Sequence, residues 1–105
     1  ARMNDATIIH ADLSGSLLWD AVLTRSDLSR VIILQADMPR AEFINANLSD
    51  ADLRGSQMIN VNFRGANLTN VDFSAANLNL SNFSEAILDG AVWVNAILPG
   101  GFQPN

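Results

Sequence analysis

The chain has 105 residues, no cysteine, and a net charge of −5 from eleven acids against six basic residues. That length makes one domain; the absent thiols exclude disulfides and thiolate metal sites, and the acidic balance excludes a strongly basic face for nucleic acid. Hydrophobic residues reach 49% while charged ones are only 16%, so a core can be built, yet no apolar run approaches the ~18 residues of a transmembrane span.

From Ala1 to Gly100 the chain divides into pentads without a single insertion. The third position of each carries a large apolar residue, from Met3, Ile8 and Leu13 through Phe43, Leu48 and Leu53 to Trp93 and Leu98. The first position is always Ala, Ser or Val. If a pentad is locally extended, its first and third side chains point one way and the second and fourth the other. The fifth residue must reset that phase, which makes it a corner. Its composition agrees: Gly15, Gly55, Gly65, Gly90 and Gly100 sit there, with Asn45, Asn60, Asn70 and Asn95, all residue types that tolerate positive φ. A period of five matches neither 3.6 nor 3.5, so no helix built from this chain would have an apolar face. The register starts on Ala1, without an initiator methionine or a visible signal peptide, and this reads as a mature form or an excerpt of a longer protein.

Ala11-Asp12-Leu13-Ser14-Gly15, Ala46-Asn47-Leu48-Ser49-Asp50, Ala51-Asp52-Leu53-Arg54-Gly55 and Ala66-Asn67-Leu68-Thr69-Asn70 resemble the repeat of the pentapeptide-repeat family, often written A(D/N)LXX. The resemblance implies an all-β fold, a right-handed quadrilateral β-helix of about five coils of twenty residues. It assigns residues 1–100 to the β-helix and 101–105 to a C-terminal tail. The departures lie at the second position, where Leu17, Val22, Ile32, Ile87, Val92 and Ile97 replace Asp or Asn.

With a twenty-residue coil, residues twenty apart stack. Phe43, Phe63 and Phe83 are then predicted to form one column, Leu28, Leu48, Leu68 and Leu88 the next, and Phe73 and Trp93 part of a third. Corner charges meet as Asp5–Arg25, Asp20–Arg40 and Arg30–Asp50, each exposed pair contributing about 0–1 kcal/mol. Asn47 over Asn67, and Asn62 over Asn82, are candidates for side-chain amide ladders. All centres from Ile8 to Trp93 are expected to be buried and all corners exposed.

Little catalytic chemistry is visible. His10 stands at a corner near Asp5 and Ser14, but without an implied pocket it reads as a solvated histidine rather than part of a triad. Asp52 and Asp72 share an outward column with Arg54 beside them, which favours charge compensation over a Ca²⁺ site. No phosphate-binding or metalloprotease motif occurs, and no cofactor or metal site is expected.

The outward apolar residues are more informative. Leu17 and Trp19, with Ile32 and Leu34 across a shared edge, form a candidate interaction patch. Leu80, Val92, Val94 and Ile97 form a second near the far end. Either an unknown protein partner or flanking segments of a parent chain would cover them. Past the repeat, Pro99 and the glycines let the chain turn, and Phe102 is a possible cap over the last coil. The expected function is a non-enzymatic structural or protein-interaction module, with no direct nucleic-acid binding and with membrane attachment only through a parent chain. One branch of the family mimics DNA and binds a type II topoisomerase, DNA gyrase. That alternative requires a continuous acidic band, and here the acids are spread over all four faces.

Overall fold

A computed structural model describes residues 5–8, 12–15 and 18–102. Its parallel bridges, from Thr7–Asp27 to Asn77–Ile97, all join residues twenty apart. Each coil therefore holds four pentads, and the bridged residue is always the second of its pentad. The bridges are isolated ones: a turn occupies most of each pentad and leaves a single residue for the ladder.

The five backbone N–H groups of a pentad account for this shape. The first donates to the carbonyl of the preceding centre and closes a turn, as Val31 does to Leu28 at 3.1 Å. The second donates to the preceding coil, Asp27 to Ala6 at 2.8 Å. The third and fifth donate to the following coil, Leu28 to Asn47 at 2.7 Å and Arg25 to Ile44 at 2.9 Å. The fourth has no main-chain acceptor in the pattern, and here the Asp/Asn preference finds its cause. The second-position Oδ1 accepts that N–H in nine pentads, among them Asp27 from Ser29, Asn47 from Ser49 and Asn67 from Thr69, at 2.8–3.3 Å. Where Ile32 replaces the carboxylate or amide, the Leu34 N–H donates instead to Ser14 Oγ of the preceding coil at 3.1 Å. Pro39 and Pro99 occupy the fourth position with no N–H to place.

Each turn places its third residue, the corner, in the left-handed region. Described non-glycine corners have φ between +55° and +65°, including the bulky Gln35, Arg40 and Leu80. One positive φ at this place is the mark of a type II turn, which ordinarily selects Gly or Asn. Such strain persists only where the surroundings over-determine it, and here the coils above and below fix the backbone. Glycine leaves room for a neighbouring side chain most directly at Gly65 and Gly90. A Cβ at either would run into the side-chain oxygen of the corner asparagine one coil earlier, Asn45 or Asn70.

Inside, the first and third positions are buried from Ala21 to Phe83. Phe43, Phe63 and Phe83 stack with ring centroids 5.4 and 5.1 Å apart and planes within 9°. Phe73 and Trp93 stack at 4.8 Å, edge-on to the first column. Burial of every centre from Ile8 to Trp93 does not hold at the ends: Ile8, Leu13, Leu18, Leu88 and Trp93 are only partly buried, because a terminal coil has a neighbour on one side. Gly55 and Gly65 are likewise half-buried corners.

Inward serines do more than fill space: Ser26 Oγ accepts from the Ala6 N–H one coil earlier at 3.3 Å, and Ser56 and Ser81 each bridge a whole turn. The turns from Ile33 to Ala36 and from Met58 to Val61 lack the direct closing bond. Ser56 Oγ accepts from the Ala36 N–H at 3.3 Å and donates to the Ile33 carbonyl at 2.6 Å. Ser81 bridges Val61 and Met58 at 3.1 and 2.7 Å. Each hydroxyl splints the turn one coil earlier, and no buried side-chain polar atom among the described residues is left unpartnered.

At the corners Arg25 meets Asp5 at 2.9 Å and Arg40 meets Asp20 at 2.7 Å. Among the described residues no ion pair joins Arg30 to Asp50; Asp50 accepts from Asn70 Nδ2 at 3.2 Å instead. Arg64 reaches diagonally to Glu85 at 2.9 Å. The two expected asparagine ladders do not form among the described residues, since Asn47, Asn62, Asn67 and Asn82 each turn Oδ1 to the backbone two residues on.

Three outcomes test this framework. Leu68→Asp places a carboxylate at a fully buried position with no partner and should abolish cooperative folding. Thr69→Asp, one residue away and outward, should cost no more than about 1 kcal/mol in a urea titration. Ser56→Ala should lose about 1–3 kcal/mol, the cost of two buried groups left unmatched, while Ser49→Ala stays within about 0.5 kcal/mol. The third concerns acid. Hydrogen bonds from Arg25, Arg40 and Ser14 hold the carboxyls of Asp5, Asp20 and Asp12 below the ordinary carboxylate range. A folded pKa below the unfolded one adds stability above the unfolded value and loses it as pH falls through the folded one. Melting temperature should thus be level from about pH 5 to 8 and decline below about pH 4, with Arg40→Gln flattening that decline.

Candidate functional site

Because core and corner positions are committed to the coil, the second and fourth positions are where a partner can be met. They form outward columns, one residue per coil. One column of fourth positions runs Trp19, Pro39, Ile59, three apolar side chains in consecutive coils. Trp19 is 56% exposed and Ile59 37%. The preceding side of the coil carries Ile32, also exposed, and Leu34, half-buried. Leu34 lines an open groove with Gln35, Arg54, Gly55, Ser74 and Ala75. Of the sequence-predicted patch, Leu17 lies outside the described residues, as does His10. Ile59 belongs to this apolar column and was missed, although its spacing from Pro39 and Trp19, one coil each, was available to find it.

The second group sits on the last two coils. Leu80 is 65% exposed, and Val92, Val94 and Ile97 are exposed as well. Ile87, a second-position departure not assigned to the patch, joins them. Ile87, Val92 and Ile97 stand at the second position of three successive pentads of the last coil, where the third and fourth coils carry Asn, Asp or Gln.

Between the groups runs a charged belt. Arg54 clasps Asp52 with two hydrogen bonds of 2.8 Å, and its Nε is 3.9 Å from Asp72. The Arg54 hydrogen bond holds the Asp52 carboxyl below its usual range, outweighing the opposing effect of partial burial. The guanidinium thus lies against both carboxylates and offsets one of their two charges. No group of three or more metal-ligating side chains converges among the described residues.

Solved structures with the same coil place this architecture. The chain is similar to Rfr23, a pentapeptide-repeat protein from the cyanobacterium Cyanothece 51142, at 19% identity over 93% of this chain and 88% of that one, TM-score 0.72. It is similar to AT2G44920, a pentapeptide-repeat protein of the Arabidopsis thaliana thylakoid lumen, at 27% identity over 84% of this chain and 63% of that one, TM-score 0.64. QnrB1, a plasmid-mediated fluoroquinolone resistance protein, shares the fold at 15% identity, over 90% of this chain and 64% of that one, TM-score 0.52. No curated protein matches the chain in sequence. A model of pentapeptide repeats matches eight copies across residues 1–38, 36–74 and 76–100. With that match, and with its parallel bridges at a constant spacing of twenty, the chain belongs to the pentapeptide-repeat family.

Proposed function

We propose that the chain is a non-enzymatic protein-interaction module: a right-handed, four-sided coil that holds an apolar contact surface rigid. The observation that carries this reading is the apolar column of exposed Trp19, half-buried Pro39 and exposed Ile59, beside Ile32 and Leu34. Clustered exposed apolar side chains with a tryptophan are the composition of a binding hot spot rather than of a solvated face. Rigidity favours binding, because a surface already ordered loses little conformational entropy on contact. The apolar residues of the last coil are a second contact, for a flanking segment of a longer chain or for a partner.

The gyrase-binding reading draws on the fold shared with QnrB1. It receives less support from the surface, where Asp5, Asp20, Asp52 and Glu85 are each neutralised by an arginine, leaving the acidic charge interrupted along the coil.

Affinity capture with the native chain and with a Trp19→Ser/Ile59→Asn variant, followed by titration of each recovered protein in purified form, tests the proposal. A partner whose Kd weakens about tenfold or more in the variant, at unchanged melting temperature, is the expected result. A partner that binds both forms equally would place the contact elsewhere and overturn it. Inhibition of purified DNA gyrase by the native chain would favour the other reading.

A further inference from the structure

We propose that residues Pro99 to Phe102 form a plug that ends the coil and keeps a second copy of the chain from pairing onto it. Inside the coil, described third-position N–H groups up to Leu78 and fifth-position N–H groups up to Ala75 donate to the next coil. In the last coil the N–H groups of Phe83, Leu88 and Trp93 have no acceptor among the described residues. They form an open edge in the same register as the bonded rows beneath, the kind of edge that templates addition of another chain. The core side chains at this end, Leu88, Trp93 and Leu98, are only partly buried.

The tail meets this edge by slipping one residue. Described turns further up begin at a centre and put positive φ on the corner. The last begins at Pro99: Gly101 takes φ +77°, and the Phe102 N–H donates to the Pro99 carbonyl at 3.1 Å. The slip has two consequences. It brings a phenylalanine to the end of the turn, where the repeat carries only Ala, Ser or Val. It also puts the chain out of phase with the ladder, so that the edge is not simply extended. The ring lies on Phe83 with centroids 4.7 Å apart and planes 23° apart, and edge-on to Trp93 at 5.7 Å. It is the fourth ring of the column that begins at Phe43, occupying the place a further coil would fill.

The plug is independent of the contact surface proposed above, and Trp93 reports on it. In a Trp19→Phe background Trp93 alone emits. Phe102→Ala should shift its emission to the red and lower the melting temperature. In sedimentation velocity over a hundredfold range of concentration, its weight-average mass should rise at least twofold above that of the parent. Phe102→Tyr, which keeps the ring, should behave as the parent in all three. If Phe102→Ala does not fold, Phe102→Leu takes its place, with the same shifts expected at smaller size. Unchanged emission overturns the plug, and so does a variant that is less stable yet has the parent's mass at every concentration.

Discussion

The structure depends on a constant offset in its main-chain hydrogen bonds. In the inner coils a second-position N–H reaches 21 residues back and a third-position N–H 19 residues forward. One inserted or deleted residue would turn inward side chains outward for the rest of the coil, as a register slip does in any sheet with one buried face. This explains why the twenty-residue spacing tolerates no irregularity, and why left-handed φ values are accepted at Arg, Gln and Leu corners. A single strained corner costs about 1–3 kcal/mol. A buried centre contributes about 1.5–3 kcal/mol, and each pentad sets one such residue, with a small companion, against one corner.

The same offset determines how much could be read in the residues alone. Inward columns are legible because large apolar residues at a fixed period admit one arrangement; the Phe43, Phe63, Phe83 stack follows from spacing only. The charge pairs Asp5–Arg25 and Asp20–Arg40 were legible for the same reason. Arg30–Asp50 was not: among the described residues Asp50 accepts from the Asn70 amide instead. Arg64–Glu85 was missed because a long guanidinium reaches diagonally, one residue beyond the column. The asparagines of the expected ladders use Oδ1 for a local bond to the N–H two residues on, a role that spacing between coils does not reveal. The role of Ser56 and Ser81 was hidden because serine at the first position looks like one more small residue.

The candidate site was legible in outline and not in extent. Trp19, Ile32 and Leu34 stand out as apolar residues at outward positions, and residues 31–40 are regular enough to orient them. Ile59 and Ile87 escaped notice because each, taken singly, is an ordinary exposed hydrophobe. Only their columns, with Pro39 and Trp19 in one case and on the last coil with Val92 and Ile97 in the other, make them part of a surface.

The fold thereby separates two kinds of constraint. First, third and fifth positions answer to the coil, through the core and the left-handed turn. Second positions answer to it more weakly: Asp or Asn caps the fourth N–H, yet Ile32 is accommodated once Ser14 supplies another acceptor. A proline at the fourth position removes the demand altogether. Outward apolar residues can therefore be placed at little cost to the coil, provided the orphaned N–H is answered. Their clustering at Trp19, Pro39 and Ile59 is then not forced by folding. A surface that the fold leaves free, and that nevertheless carries contiguous apolar side chains, is what the proposed contact rests on.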